Sequence, residues 1–543
     1  MGPLDARALA PPGRRLAGTG PVARAPAAVL VVLLLTFVAW PLVLVLAGGV
    51  SDGGTATLGH LRALAGSLAV AAVSTAATVA LAAALAYAVA RADFPGRRLV
   101  AAAALLPMWA PPFLAALALL LLLGANGAVT GALDLAWSIE GFPGIVLAQV
   151  FTFLPQAYIV LARAMAGIDP ALEEAAESLG AGRLVTLARV TLALARPGLL
   201  AASLGVFIMC MSDFGNPLLA GGGYPVLTTE IYSAVAAKRD LGAAATLSVL
   251  LLVPCLTAWV LGAEGLGWRA YFTAGADARP KAPVPSRRAE GLIVTAAVGI
   301  ALSVAALYGL IPLGSVVGRW GSDWSLSGAH WGSWREIAGP VWGSVRLAVA
   351  AAIAGTVLAL LAAYVIGRSP TRGARAIEVL GLLPAAMPGT VVGLGYMLAF
   401  GAGPLPALAV LVASVVFWKL PVALLGGLDA LARLDPALEE AAVSLGASRG
   451  RVLARVVLPL LGPPAVSTFM YFFVSGLGTV SAVILLLPPG FSLGSVAILA
   501  RVGTGDAGGA CALATLLLAM VLGALLLRPA LVGRERPAAL SVG

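Results

Sequence analysis

The sequence predicts an all-α integral membrane protein with about twelve transmembrane helices, arranged as two tandem, parallel halves of six helices each. Three observations support this fold class. Sixty per cent of the 543 residues are hydrophobic and 11% are charged, a balance outside that of soluble globular domains. Apolar runs of about 20 residues recur along the chain, and one charged segment occurs twice.

Each apolar run is long enough for a helix to cross a hydrocarbon core of about 30 Å. The first run is about 22 residues long, which exceeds the apolar region of a cleaved secretion signal, so we expect it to be retained. Residues 1–26, rich in Ala, Pro, Gly and Arg, are predicted to be a disordered cytoplasmic tail. We assign the spans to residues 27–48, 66–90, 99–124, 143–166, 198–218, 241–264, 291–313, 341–367, 376–402, 405–430, 464–488 and 509–530.

The basic residues indicate how the chain is oriented. Most of the 34 Lys and Arg residues fall in segments that share one side of the membrane, and the positive-inside rule makes this side the cytoplasm. Both termini, including a second tail at 531–543, are then cytoplasmic, and the chain is a multi-pass protein of the bacterial plasma (inner) membrane. The net charge of +10 follows from this topology, so we expect the lipid bilayer, and no nucleic acid, as a partner.

The charged segment reads DPALEEAAESLGA at 169–181 and DPALEEAAVSLGA at 435–447, so that 12 of 13 positions match at an offset of 266 residues. This repeat divides the chain into a first transmembrane domain, 27–265, a cytoplasmic linker, 266–290, and a second transmembrane domain, 291–530. Because six spans is an even number, both halves enter the membrane in the same orientation.

Each copy of the segment has the features of a short capped helix. Asp169 is a favourable N-cap, Pro170 fits the first helical position, and Gly180 tolerates the left-handed geometry that ends a helix. Leucine and alanine are expected on one face, and Glu173, Glu174 and Glu177 on the opposite one. A purely structural surface helix would explain one copy. Two equivalent cytoplasmic helices instead favour docking of two copies of one soluble partner.

The segments carry a specific resemblance. The order Glu-Ala-Ala, three residues, Gly, nine residues and hydrophobic-x-Leu-Pro resembles the EAA loop of bacterial binding-protein-dependent ABC importer permeases, with loops at 169–193 and 435–459. Ala193 departs from the pattern, whereas Pro459 fits it. The resemblance implies a fused type I permease fold, two copies of an ABC ATPase subunit and an extracytoplasmic substrate-binding protein. The docking residues implied are Glu173, Glu174, Ala175, Ala176, Gly180, Glu439, Glu440, Ala441, Ala442 and Gly446.

The chain contains no sequence for a nucleotide-hydrolysing site. A P-loop requires a lysine after glycine, whereas Lys238, Lys281 and Lys419 follow Ala, Pro and Trp. The two histidines lie in different halves, so no catalytic set is predicted. We therefore expect a non-enzymatic subunit with no cofactor and no metal site, and with ATP used by the partner subunit.

Ionisable and polar groups inside apolar spans suggest the solute pathway, for which Asp213, Asn216 and Lys419 are the candidates. Local compensation is the alternative: Asp213 would cap a break in its span, and Lys419 would extend toward the interface. Asp213 and Lys419 could also pair across the central axis. These interpretations stay open at this point.

The segment SDFGNPLLAGGGYPVLTTEIYSAV resembles ferric-iron importer permeases, and more loosely 2-aminoethylphosphonate permeases. The expected function is therefore the membrane pathway of an ATP-driven importer of ferric iron. The same machinery for 2-aminoethylphosphonate or another small polar solute is the alternative within this class. An ion-coupled secondary transporter is an alternative of a different class, although it would not require a duplicated charged loop.

Overall fold

The computed structural model describes residues 24–51, 57–266, 289–332, 334–368, 372–401 and 403–532. Most of the predicted tail 1–26, of the linker 266–290 and of the tail 531–543 lies outside the described residues. Arg24 to Pro26, which we predicted as tail, instead form the first turn of a helix. A proline is tolerated there because the first N–H groups of a helix have no partner inside it.

The first half consists of helices joined by short turns. Two π-helical turns and one 3-10 turn interrupt them. In chain order the elements are α1 (Arg24–Leu34), a π turn (Leu35–Ala39), α2 (Trp40–Ser51), α3 (Leu58–Arg91), α4 (Arg97–Leu105), a 3-10 turn (Leu106–Trp109), α5 (Leu114–Leu123), α6 (Ala128–Ala132), α7 (Phe142–Ala166), α8 (Pro170–Ser178), α9 (Arg183–Thr186), a π turn (Leu187–Thr191), α10 (Leu192–Leu194), α11 (Arg196–Ser212), α12 (Gly215–Ala220), α13 (Leu227–Ala236) and α14 (Leu241–Leu266).

The second half has a similar order of long helices and adds an antiparallel hairpin. Its elements are α15 (Ala289–Gly314), β1 (Val317–Arg319), β2 (Asp323–Leu326), α16 (Ala329–Gly332), α17 (Trp334–Arg368), α18 (Arg372–Leu382), a 3-10 turn (Leu383–Ala386), α19 (Gly389–Phe400), α20 (Ala407–Ala432), α21 (Pro436–Ser444), α22 (Arg449–Val452), a π turn (Leu453–Val457), α23 (Leu458–Leu460), α24 (Gly462–Gly478), α25 (Gly494–Gly503) and α26 (Ala507–Val532).

The all-α membrane class is confirmed. Within the described ranges, nine helices are long and apolar enough to cross a membrane, and twelve spans result if each of three bent helix pairs counts as one. The hairpin β1–β2 contributes the only strands of these ranges.

Several predicted spans are not continuous helices. Residues 99–124 contain α4, a 3-10 turn and α5, and residues 376–402 bend by 116° between the turn that ends at Ala386 and α19. Prolines explain both interruptions, because proline lacks the N–H that would continue the helix. The span at 198–218 stops at Ser212, and the span at 464–488 stops at Gly478. These are corrections to the uniform spans that the apolar runs predicted.

Equivalent hydrogen bonds show that the two halves repeat in structure as well as in sequence. The hydroxyl of Ser67 accepts from the backbone N–H of Leu227 at 2.8 Å. Ser344 accepts in the same way from Gly494 at 2.9 Å. All four residues are buried, so each bond fixes the start of α13 or α25 against the long helix of its own half.

The first helical span of each half packs against the other half. Helices α1 and α2 contact α18 and α19 of the second half, while α15 contacts α3, α4 and α5 of the first. This exchange was not predicted from the sequence, since an apolar run carries no information about which neighbour covers it. It interlocks the two halves around their shared core.

The two histidines have local contacts in the fold. Thr57 caps α3 by accepting from the backbone N–H of His60 at 3.4 Å. The Nε2 atom of His330 lies 2.9 Å from the carbonyl oxygen of Val317, next to the hairpin.

Candidate functional site

The two repeated segments form helices α8 and α21 with matching ends. The carboxylate of Asp169 accepts from the N–H of Ala171 at 3.2 Å, and Asp435 accepts from Ala437 at 2.9 Å. Gly180 and Gly446, with φ of +86° and +85°, terminate the helices. The predicted N-cap, first-turn proline and left-handed glycine are therefore all present in both copies.

Each of these helices presents apolar side chains at the surface. Leu172 and Leu438 are half exposed, whereas Leu179 and Leu445 are 90% and 89% exposed, at the ends of their helices. So much exposed leucine on so short a helix is unusual unless a partner covers it. The predicted docking residues that are also exposed are Glu174, Ala175, Gly180, Glu440, Ala441 and Gly446, and Ala176 and Ala442 are half-buried.

Glu173 and Glu439 do not share this surface. Glu439 is 5% exposed, and the side chain of Glu173 is 15% exposed. The acidic face predicted for each helix is therefore divided: one glutamate faces outward and the residue before it faces into the chain. In this conformation Glu173 and Glu439 therefore face the chain itself, whereas Glu174 and Glu440 face outward, a difference that the helical spacing alone could not predict.

The buried glutamates each pair with an arginine that ends a long transmembrane helix. Arg91 is the last residue of α3, and its Nε lies 3.0 Å from Oε2 of Glu173. The two groups form an ion pair without the geometry of a hydrogen bond. Arg368, the last residue of α17, donates from Nε to Oε1 of Glu439 at 2.7 Å. Sequence reasoning missed both arginines. Their shared position at the end of the second span of each half could have revealed them.

The first arginine has further partners. Nη2 of Arg91 donates to the carbonyl oxygens of Met165 and Ile168, at 3.1 Å each. These carbonyls lie at and just beyond the C-terminal end of α7, where the helix dipole favours a cation. Arg91 thus joins three elements, α3, the end of α7 and α8.

The segments that follow α8 and α21 have the same element order, although Ala193 replaces the family proline that Pro459 provides. Their packing differs. Val452, Val457 and Leu461 form a small buried core in the second loop. Thr186, Thr191 and Ala195 occupy the equivalent positions of the first loop. There, the hydroxyl of Thr191 donates to Oε1 of Glu173 at 2.6 Å.

Asp213 lies between α11 and α12 within a buried polar cluster. Its Oδ2 accepts from Asn216 Nδ2 at 2.9 Å and from Gln149 Nε2 at 3.1 Å, and its Oδ1 accepts from the Asn216 N–H at 3.4 Å. Asn216 also donates to the hydroxyl of Thr152 at 3.2 Å. In this conformation Asp213 is thus hydrogen-bonded locally, at the break between α11 and α12.

Lys419 is stabilised separately from this cluster. Its Nζ lies 3.6 Å from the ring centroid of Trp418, in a cation–π arrangement. Trp418 in turn donates from Nε1 to the carbonyl oxygen of Met387 at 3.0 Å. Within the described ranges Asp213 and Lys419 form no ion pair, so the sequence-based idea that they pair is not what this conformation contains.

Comparison with known proteins finds one family that matches each of the two halves. The family model for the binding-protein-dependent transport system inner membrane component matches residues 76–262 and 355–532. The chain is 32% identical over 450 residues to the ferric transport system permease protein FbpB of Actinobacillus pleuropneumoniae, a match covering 80% of this chain and 65% of that protein.

Two further relatives extend this result. The putative ferric transport system permease protein FbpB 1 of Haemophilus influenzae is 33% identical over 401 residues, or 70% of this chain and 63% of that protein. The putative 2-aminoethylphosphonate transport system permease protein PhnV of Salmonella typhi is 33% identical over 150 residues, or 26% of this chain and 54% of that protein. The chain thus spans less than two thirds of the length of these relatives.

Proposed function

Because the chain belongs to the family of binding-protein-dependent transport system inner membrane components, we propose that it is the fused permease of an ATP-driven ABC importer. The observation that carries this proposal is the doubled helix with exposed leucines, α8 and α21, at equivalent places in the two halves. Each is a surface where an ATPase subunit can dock. The domain division at 27–265 and 291–530 belongs to the same proposal and is supported by the two matched stretches.

Two copies of an ABC ATPase subunit are the proposed partners of α8 and α21. Leu172, Leu179 and the equivalent Leu438 and Leu445 supply apolar contact area, and burying them on a partner would release free energy roughly in proportion to the area covered. Glu174 and Glu440 supply a charge at the same exposed faces. The positive-inside asymmetry supports a cytoplasmic location for these helices and for both termini.

Ferric iron is the proposed solute, delivered by an extracytoplasmic substrate-binding protein. The names of the two ferric transport relatives support this choice. In the described part of the chain no three His, Cys, Asp or Glu side chains come together to hold a metal ion. The proposal therefore places tight iron binding on the binding protein. The PhnV relative favours 2-aminoethylphosphonate as the second candidate.

The polar cluster around Asp213 has a proposed structural role beside the pathway. Asp213 is 7% exposed and Asn216 is fully buried, so neither side chain lines an open channel in this conformation. Their hydrogen bonds hold the break between α11 and α12 against α7. Movement of these helices between transport states would then open or close the pathway, while the Asp213 carboxylate stays outside it.

Assembly with ATPase subunits tests the proposal. The chain is purified together with candidate ABC ATPase subunits, as wild type and as Leu179→Glu with Leu445→Glu. We expect a stable complex for the wild type and loss of most of the bound ATPase for the variant. Ser178→Ala with Ser444→Ala is the control, since these exposed hydroxyls only donate to carbonyls of their own helices. A double leucine variant that retains all its ATPase would contradict the docking surface.

The solute is tested by a second measurement. The chain is reconstituted in liposomes with the ATPase subunits and the binding protein, and uptake of radiolabelled ferric iron is compared with uptake of 2-aminoethylphosphonate. ATP-dependent uptake of iron alone supports the first candidate. Uptake of 2-aminoethylphosphonate alone would replace it with the second.

A further inference from the structure

Two buried ion pairs occupy equivalent positions in the two halves. Arg91 and Glu173 have side chains that are 8% and 15% exposed, and Arg368 and Glu439 have side chains that are 15% and 6% exposed. The partners are 82 residues apart in the first half and 71 in the second. The same contact therefore forms although the connecting chain differs in length.

The burial of these pairs is not explained by stability alone. A buried ion pair loses the hydration of both charges, so its net contribution to folding is small, whereas removing one partner leaves an unpaired buried charge. Each pair does give a fixed geometry. It joins the end of a long helix directly to a short helix at the surface, through contact between the two charged side chains.

The two long helices joined in this way are long enough to cross the membrane. Helices α3 and α17 contain 34 and 35 residues, which corresponds to about 50 Å at the usual helical rise. Both pack along the transmembrane core of their own half, α3 against α7 and α11, and α17 against α20 and α24. A displacement at the arginine end is therefore carried through most of the membrane thickness.

We propose that the Arg91–Glu173 and Arg368–Glu439 pairs are the mechanical links through which movement of α8 and α21 is passed to α3 and α17. This inference rests on the proposed function, in which ATPase subunits dock on α8 and α21. Glu174 and Glu440 face the partner, and the neighbouring Glu173 and Glu439 connect the same helices to the transmembrane core. The arginines are positioning residues and do not contact the ATPase.

The two links differ in what supports them. In the second loop, Val452, Val457 and Leu461 hold the segment after α21 by apolar packing. In the first loop, threonine and alanine replace these residues, and the Thr191 hydroxyl adds a hydrogen bond to Glu173. Loss of the ion pair should therefore loosen α8 more than α21.

Hydrogen exchange of the purified chain tests the anchoring. Arg91→Gln and Arg368→Gln are compared with Arg433→Gln, a control that removes an exposed pair with Asp429 at the end of α20. We expect amide exchange in α8 to rise by about tenfold in the first variant, with a smaller rise in α21 for the second. Unchanged exchange in both helices would overturn the anchoring.

Transmission is tested in the complex with ATPase subunits. Spin labels on cysteines at positions 68 and 349, which are surface positions of α3 and α17, report the change in distance on adding ATP. In Arg91→Gln with Arg368→Gln we expect the affinity for the ATPase subunits to change by no more than about twofold. The ATP-driven shift in the equilibrium between the two label distances should fall by about tenfold. Arg368→Glu with Glu439→Arg should restore part of the response of the second half.

The outcomes separate the link from the proposed function. If the wild-type chain binds no ATPase subunit, the proposed function fails and the link fails with it. If the wild type binds ATPase and responds to ATP, and the double glutamine variant responds equally, only the link fails. Loss of ATPase binding in the glutamine variant would also overturn the link, because it would assign the buried pairs to docking.

Discussion

Tyr396 donates its hydroxyl hydrogen to the carbonyl oxygen of Phe37 at 2.8 Å, and so joins the first helical span of one half to the core of the other. This carbonyl is available because the residue four positions later is Pro41, which has no N–H to donate. Gly395 permits the close approach, since a Cβ at that position would lie 2.9 Å from the carbonyl oxygen of Pro41. A local defect in one helix is thus satisfied by a side chain from the opposite half.

Replacing Tyr396 by phenylalanine is expected to destabilise the interlocked halves. The variant leaves the partly buried carbonyl of Phe37 without this hydrogen bond, which costs up to about 1–3 kcal/mol. In a Pro41→Ala background the helix can supply its own N–H to Phe37, so the same change should cost less. Unfolding of the purified chain in detergent, followed by circular dichroism, measures both effects.

Tyr308→Phe is the matched control for this prediction. Tyr308 is also buried, and among the residues that the structure describes its hydroxyl has no hydrogen-bond partner. Removing that hydroxyl should leave stability unchanged or raise it slightly. Equal losses in Tyr308→Phe and Tyr396→Phe would contradict the specific role of the Phe37 carbonyl.

Gly180→Ala and Gly446→Ala are expected to disturb the ends of α8 and α21. Both glycines have positive φ, and a Cβ built on either would meet no atom within 4 Å from the described residues beyond its immediate chain neighbours. The cost is therefore conformational, about 1 kcal/mol for each alanine in the left-handed region. Gly182→Ala, equally free of contacts and without positive φ, should be neutral. Thermal unfolding and ATPase binding of the three variants distinguish strain from a general sensitivity of the loop.

The role of Asp213 is open to a direct test. Asp213→Asn keeps an oxygen acceptor for Asn216 and Gln149 but removes the charge. If the cluster is structural, this variant combined with Lys419→Met should transport at more than about half the wild-type rate. Asp213→Ala, by contrast, should lower stability by about 1–3 kcal/mol, because two buried amides lose an acceptor. Complete loss of uptake in the neutral variant at normal expression would instead support a charged residue in the pathway.

The sequence predicted what depends on local chemistry. Hydropathy located the membrane helices, and the Asp-Pro start and Gly180 predicted α8 correctly, because caps and left-handed positions depend on a few adjacent residues. The inward position of Glu173 could not be obtained in this way. It depends on Arg91, 82 residues earlier in the chain, and on how α3 packs against α7. The exchange of first helices between halves was missed for the same reason, since apolar runs fit many neighbours.

The predicted orientation can be measured with single cysteines, because the three native cysteines are buried and should give little background labelling. Ser178→Cys lies on exposed α8, and Ser325→Cys on the exposed strand β2. The positive-inside rule places these positions on opposite sides of the membrane, α8 in the cytoplasm and β2 outside. A membrane-impermeant maleimide should therefore label position 325 in intact spheroplasts, and position 178 only in inverted vesicles. The reverse pattern would place the docking helices outside, where no ATP-driven subunit could reach them, and would contradict both the topology and the proposed function.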